Sequence, residues 1–412
     1  MEWKRVRLGD YISIKSGLAY KGSKIGKGKS VLLGMGCVSF KDKFVESGAR
    51  PYDGSDCDER FLVEPGDIVL ATRQQSNNLP ILAMPAIIPN SLEGKRVIFG
   101  TNLYKVENHS VISSKFLFWL MKHQHYVNYI AGVKSGTAVQ MVTKKNVEDY
   151  KFMCPPLEVR NKISDILWTY DSLIENNTKR ICVLEKMAES LYKEWFVRFR
   201  FPGHENVEIE NGLPKGWNII KVKDLSVVKS GFAFKSDWFI DTGCGVAKIK
   251  DIGGVLMDTS DLSYVDESNC MKAKKFILKE GDLTIALTGA TIGKISIVPK
   301  HCGLIYTNQR LGKFFNGGNP IEHIPFLYCM FAQDMMVQNI MNLANSSSAQ
   351  PNISPEQIGN IKFKGNVDLI KRFNKVAEGL FKEMLSLHEM NQNLARQRDH
   401  LLPRLMSGKL EV

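Results

Sequence analysis

No run of about 18 apolar residues occurs in this 412-residue chain, so nothing in it reads as a membrane-spanning helix. The opening residues, MEWKRVRLGD, lack an apolar h-region and do not read as a signal peptide. Cysteine is present but unorganised. Cys37, Cys57, Cys154, Cys182, Cys244, Cys270, Cys302 and Cys329 are scattered, with no C-x-x-C and no histidine at zinc-ligand spacing. They read as reduced, mostly buried thiols of a cytoplasmic protein, and no structural metal site is expected.

The motifs of enzymes are missing as well. No N/D-P-P-Y/F/W segment is available to hold a flipped base for methylation, and no G-x-G-x-x-G follows a strand. Gly28-Lys29-Ser30 has the ending of a P-loop, but Ser23 stands where the first glycine is needed. Glu93-Gly94-Lys95 with Asp67 imitates a nuclease-like acidic pair plus lysine, a triplet common by chance. His123 and His125 fall on a helical stretch rather than in a nucleophile–base pattern. No catalytic residue and no metal ligand is assigned.

What is there in excess is positive charge: net +12, with 44% hydrophobic residues. The apolar fraction suffices for an ordinary core, and the length suits roughly two to four domains. The basic balance favours a polyanionic partner, because a positive field raises encounter rate and affinity for phosphates.

The chain is also written twice. Trp3–Lys21 and Trp217–Lys235 align without a gap at an offset of 214, with seven of nineteen positions identical, Lys-Ser-Gly among them. Gly66-Asp67-Ile68 answers Gly281-Asp282-Leu283, and Thr101-Asn102 answers Thr307-Asn308. Thr137-Ala138, Val142-Thr143 and Lys151-Phe152 answer Ser348-Ala349, Ile353-Ser354 and Lys362-Phe363, with all offsets between 206 and 215. So long a period is not that of a solenoid. It is a whole domain plus connector, copied once.

Each copy opens with a strand-like stretch such as Ile219–Val228, turns at Lys-Ser-Gly, and continues through short apolar runs broken by Gly, Pro and Asn. Asp67–Ala71, Ile81–Ile88, Val97–Phe99, Leu283–Leu287 and Lys294–Val298 are such runs. A mostly-β domain with long loops is expected, followed by one helix in each copy, Ser113–Ala131 and Ile324–Ala344, then a polar loop and a short strand.

The end of each copy changes period. Apolar residues fall at 163, 167, 170, 174, 181, 184, 188, 191 and 195, and again at 370, 373, 377, 380, 384, 387, 394, 401 and 405. Steps of three and four sustained this long predict helices of about 40 residues, roughly 60 Å each, that pack along one another as a coiled coil. Asn177 and Asn391 interrupt the two stripes 214 residues apart. Either could be a solvated position in an irregular stripe; their repetition favours a buried pair that fixes register. Pairing could join two chains, but two matched helices on one chain pair at less entropic cost. An antiparallel pair is expected to hold the two domains at opposite ends of a rod with approximate two-fold symmetry. The fold expected is thus mixed α+β: two similar mostly-β domains with helices, joined by two long antiparallel coiled-coil helices, as a pseudo-two-fold internal repeat. The boundaries expected are a domain over 1–155, a helical spacer over 156–200, a linker and second domain over 201–365, and a second spacer over 366–412.

Several phrases resemble one family, the DNA-specificity subunit of type I restriction–modification systems. They are Pro155-Pro156-Leu157-Glu158, Ser190–Gly203 (SLYKEWFVRFRFPG), Leu213–Trp217 (LPKGW), Gly281–Val298 (GDLTIALTGATIGKISIV) and Leu401–Val412 (LLPRLMSGKLEV). The likeness spans essentially the whole chain. It implies a non-catalytic subunit with two target-recognition domains, each reading one half of a split double-stranded DNA sequence. It implies helices that set the spacer and dock two methyltransferase subunits, which carry S-adenosylmethionine. Restriction subunits, which use ATP and Mg, would then join. Where the second copy has TGATIG, the first has Ala71-Thr72-Arg73-Gln74-Gln75-Ser76. Domain centres about one turn of DNA apart or slightly more would let both sit on one face of the duplex. Two rival readings stay open on sequence: a self-contained nuclease or modification enzyme with fused specificity domains, and a coiled-coil scaffold with no DNA role.

The ends of the copies match better than their middles, which suggests two different half-targets. Base edges are read by bidentate donors such as Arg, Asn and Gln, and phosphates are held by Lys, Ser and Thr. In the first copy the candidates are Arg73, Gln74, Gln75, Asn77, Asn78 and Asn102, the basic loop with Lys21, Lys24, Lys27 and Lys29, and Lys134, Ser135 and Gln140. In the second they are Lys235, Thr288, Thr291, Lys294, Asn308, Gln309 and Arg310, with Asn345, Ser346, Ser347, Ser348 and Gln350 in the polar loop.

Overall fold

The computed structural model describes residues 3–74, 81–301, 303–344 and 351–412. It divides into two compact units. One takes Met1–Leu173 and Leu394–Val412, the other Ile174–Asn393. The fold is mixed helix and strand in both.

In the first unit Ile12–Ser16, Leu103–Asn108, Ile68–Ala71 and Pro85–Ile87 form a four-stranded antiparallel sheet in that order. A second sheet sets Ile25–Leu33 between Ala49–Tyr52 and a parallel Val97–Phe99. Lys4–Arg7 pairs with Lys151–Cys154. The second unit repeats the plan. Val227–Ser230, Leu311–Phe315, Leu283–Ala286 and Ile295–Ile297 form its four-stranded sheet, and Cys244–Ala247 runs parallel to Ile305–Thr307 in a five-stranded one. Asn218–Lys221 pairs with Lys362–Gly365.

The repeated Lys-Ser-Gly has a steric cause. Gly17 and Gly231 carry the chain from one sheet toward the other, donating to Leu103 O at 3.1 Å and Leu311 O at 3.0 Å. A Cβ on either would lie 2.1 Å from a carbonyl oxygen, that of Gly100 or Thr307. Only glycine lets the backbones approach this closely.

Ladder register aligns the units without reference to side chains. Val31 pairs with Val97 and Gly245 with Ile305, so the offset is 214 on one strand and 208 on the other. Ala71 pairs with Leu103 and Ala286 with Leu311, giving 215 and 208. The Thr101-Asn102 to Thr307-Asn308 echo, at 206, is therefore out of step. The residue equivalent to Asn102 is Arg310, and that equivalent to Asn308 is Gly100.

Other expectations are corrected locally. The stretch Ile219–Val228 is interrupted by a helical turn, Val222–Leu225, because Asp224 caps Lys221 N at 2.8 Å. The single helix expected in each copy is two. Ser114–Lys122 and Gln124–Val133 are separated by extended His123, and Ile324–Phe331 by Ala332-Gln333 from Asp334–Ala344. Helical spacing continues through both breaks, so the pattern does not reveal them. The basic loop is partly strand, since Ile25–Leu33 includes Lys27 and Lys29, with a register shift between Ile25 and Ser30.

The long helices are Leu157–Tyr192, followed by a π-turn at Lys193–Val197, and Val367–Met406. Within the first unit Ile163 and Leu167 share a core with Leu402, Leu405, Phe116 and Phe118. Each such side chain contributes about 1.5–3 kcal/mol by leaving water. Arg398 donates to Asp171 at 2.6 Å, and both are nearly buried. Burial pushes the Asp171 carboxyl up, against the pull of the guanidinium. Within the second unit Asn177 meets Asn391, Arg180 meets Glu383 at 2.9 Å, and Tyr192 meets Phe373 edge-on. Partners descend along one helix as they ascend the other, so these segments pair antiparallel, and they do so within one chain.

Candidate nucleic-acid interface

In the first unit the structure gathers three segments that the sequence nominated separately. Thr72 N donates to Asn102 O at 3.0 Å, and Val142 N donates to Thr72 O at 3.2 Å. Arg73–Gln74 then pairs with Gln140–Met141. Ser135 and Met141 exchange backbone bonds of 3.0 and 2.8 Å, closing the polar loop into a small hairpin. Arg73 and Ser135 are exposed on this assembly.

Gln74 does not face solvent, which corrects its reading as a base contact. It is buried, accepts from Ile81 N and Leu82 N at 3.1 and 3.0 Å, and donates to Gln140 Oε1 at 2.6 Å. Lys134 donates to the same Gln140 oxygen at 3.0 Å. Gln74, Gln140 and Lys134 therefore shape the loop from beneath, because a buried amide without partners would cost about 1–3 kcal/mol. Asn102 is half-buried, and its Oδ1 is buried without a hydrogen-bond partner. Gln75, Asn77 and Asn78 lie outside the described residues. Lys21, Lys27 and Lys29 are exposed, whereas Lys24 bonds both oxygens of Asp56 at 2.9 and 3.0 Å. That contact raises the ammonium pKa and lowers the carboxyl.

The second unit uses the same scaffold with different tips. Leu287 N donates to Arg310 O at 2.9 Å, Ile353 N donates to Leu287 O at 2.9 Å, and Thr288 bridges Asn352. Gly289, in left-handed backbone, and Pro351 stand where Gln74 and Gln140 stand in the first unit, joined by Gly289 N to Pro351 O at 3.1 Å. Lys235, Lys294, Gln309 and Arg310 are exposed and Thr288 is half-exposed. Asn308 is buried and accepts from Arg310 N at 3.1 Å, so it holds a turn rather than offering an amide outward. Thr291 turns its Oγ1 inward, buried without a hydrogen-bond partner. Asn345, Ser346, Ser347, Ser348 and Gln350 lie outside the described residues.

One repeated pair escaped the sequence reading. Lys105 meets Asp67 at 2.7 Å and donates to Leu62 O; Lys313 meets Asp282 at 2.5 Å and donates to Ile277 O. The signal was a lysine inside an apolar strand at the same ladder position of each copy. Asp67 is thereby committed to a structural ion pair and to accepting Glu64 N at 2.9 Å, which removes it from any nuclease-like triplet. Among the described residues, no three His, Cys, Asp or Glu side chains are grouped as a metal ion would require. Among them, too, no helix is long and apolar enough to cross a membrane.

The profile of the type I restriction modification DNA specificity domain matches residues 1–186 and 214–364, one match on each copy of the repeat. The chain belongs to this family. Among relatives of this specificity-domain protein, the type I restriction enzyme MjaVIII specificity subunit of Methanocaldococcus jannaschii is 26% identical over 332 residues, 77% of this chain and 76% of that one. The HindI specificity subunit of Haemophilus influenzae is 23% identical over 84% of this chain and 87% of its own. A crystal structure of the S subunit of a type I restriction-modification system from M. genitalium covers 98% of this chain and 96% of its own, with a TM-score of 0.54 at 16% identity. That likeness extends to the fold. The resemblance drawn from the sequence phrases thus names the right family.

Proposed function

We propose that this protein is the sequence-specific DNA-binding specificity subunit of a type I restriction–modification complex. Each unit reads one half of an asymmetric, bipartite duplex target. One observation carries this reading: a single ladder framework occurs twice and presents different chemistry at the same tip, Arg73 over Gln74–Gln140 in one unit and Thr288 over Gly289–Pro351 in the other. A duplicated enzyme would repeat its reacting groups, whereas a reader of two unlike half-sequences repeats its frame and varies its edges.

The exposed polar residues of these tips, with Lys21, Lys27, Lys29, Lys235 and Lys294, meet DNA. The same DNA-contacting role is assigned, from sequence, to Gln75, Asn77, Asn78, Asn345, Ser346, Ser347, Ser348 and Gln350. The long helices set the spacer and dock two methyltransferase subunits, through which restriction subunits join. The chain itself is non-catalytic. S-adenosylmethionine belongs to the methyltransferase, and ATP and Mg to the restriction subunit.

Mapping methylated adenines in the host genome, with and without this gene, tests the reading. A two-part motif with unlike halves and a fixed gap is the expected result; a contiguous motif, or none, overturns it. The purified chain supplied with each cofactor should neither methylate nor cleave DNA, and any turnover would refute its non-catalytic role.

A further inference from the structure

The two units carry positive charge on opposite members of one pair of segments. In the first unit residues 21–29 hold Lys21, Lys24, Lys27 and Lys29, a charge of +4, while residues 53–60 hold Asp53, Asp56, Asp58 and Glu59 against Arg60, a charge of −3. The repeated lysine bonds align Leu62 with Ile277, and the strand bridges align Leu18 with Phe232. The counterparts in the second unit are thus 235–243, with Lys235 against Asp237 and Asp241, and 266–275, which opens on Asp266 and Glu267 and then carries Lys272, Lys274 and Lys275. Their charges are −1 and +1. The lysine cluster has moved to the other member of the pair, at the end that leads into Ile277.

In the first unit the two segments touch through Lys24 and Asp56. In the second they meet at Trp238, with Lys235 at 5.5 Å and Lys272 at 5.9 Å from its ring centroid. Trp238 stacks on Phe232, whose carbonyl accepts from Gln309 N at 3.0 Å, so this cluster adjoins the exposed Gln309 and Arg310. Phe276, at the end of the lysine-bearing turn, also meets Phe232. Lys272, Lys274 and Lys275 are exposed, and among the described residues no carboxylate ion pair holds them.

We propose that Lys272, Lys274 and Lys275, with Lys235 beside Trp238, grip the phosphodiester backbone of duplex DNA at the second unit, the task that falls to residues 21–29 in the first. The inference rests on the DNA-reading function and assigns it residues that no motif marks. The acids of 53–60 would repel a phosphate, so the first unit cannot use that segment. The indole steadies the stems of Lys235 and Lys272, which reduces the freedom they lose on binding.

The test measures affinity of the full chain for a random-sequence DNA duplex across salt concentrations. Each phosphate contact contributes about 0.9 to the log–log salt slope, so K272A/K274A/K275A should lower the slope by about 2.7. Between 50 and 200 mM salt the variant should then lose about 40-fold less affinity than the parent. K362A/K364A, which removes exposed charge from the Lys362–Gly365 strand, should keep the parental slope. A triple variant with the parental slope overturns the proposal, as does an equal drop in the control, which would report net charge alone. A parent chain that binds no duplex would instead overturn the DNA-reading function, and the patch with it.

Discussion

Asn177 Nδ2 donates to Asn391 Oδ1 at 3.0 Å, joining two residues 214 positions apart, the same interval that separates the two copies of the sequence. Asn391 Nδ2 goes on to Ile174 O at 3.3 Å and Thr178 Oγ1 at 3.2 Å. Asn177 is buried. Such a pair is satisfied in one alignment of the helices and broken by a slip of either.

Replacing one member should therefore cost more than replacing both. Asn177→Leu or Asn391→Leu strands the other amide, at about 1–3 kcal/mol. The double N177L/N391L variant should recover most of that loss, because two apolar side chains restore a continuous stripe, but it should lose uniqueness of register. Chemical unfolding of the three variants forms a double-mutant cycle. Strictly additive single effects would mean that the hydrogen bond fixes nothing.

Gln74 is the residue on which the first unit's tip depends. Q74A removes two acceptor bonds and the donor to Gln140, so residues 81–82 and 140 lose their common anchor. Stability should fall by about 1–3 kcal/mol. Binding to duplexes altered in one half at a time should show weakened discrimination at a single half-site, with the other intact. Equal loss at both halves would contradict independent readers.

Much of this was legible from sequence, and the failures share a cause. The period, the heptads and the asparagine pair depend on spacing along the chain, and spacing is what a sequence displays. Gln74 and Asn308 looked like reading groups because both are amides in polar loops. Gln74 is satisfied by a residue 66 positions away and by two backbone amides across its loop; Asn308 is buried against its own turn. The Thr-Asn echo misled in another way. Identity at 206 concealed a ladder that runs at 208, and only backbone pairing sets register. The swapped lysines were invisible because charge moved between segments that touch in space and lie far apart in the chain.

The duplicated lysine–aspartate pairs allow a comparison inside one molecule. Lys313 and Asp282 are 10% and 4% exposed, whereas Lys105 and Asp67 are 19% and 29% exposed. Removing one partner of a buried pair leaves an uncompensated charge, at about 3–5 kcal/mol, while a wetter pair is worth about 1 kcal/mol or less. Asp282→Ala should thus destabilise its unit several-fold more than Asp67→Ala. Hydrogen exchange on peptides from Leu283–Ala286 and Ile68–Ala71 would read each unit separately. Equal losses would show that burial does not set the difference.

Asp251 should make the second unit less stable as pH rises. Its carboxyl is 4% exposed, and burial pushes its pKa up to about 6, against the bond from Lys248 N at 2.7 Å and the charge of Lys250. A carboxyl whose pKa is raised on folding favours the protonated form. Its contribution is therefore complete below the unfolded value near 3.8 and lost as pH climbs through about 6. The difference amounts to on the order of 2–3 kcal/mol. Asp251→Asn keeps an acceptor for Lys248 N and carries no charge. The variant should match the parent near pH 4 and exceed it at pH 7.5 in chemical unfolding. If the two denaturation midpoints keep a constant separation across that range, the buried carboxyl is not what titrates.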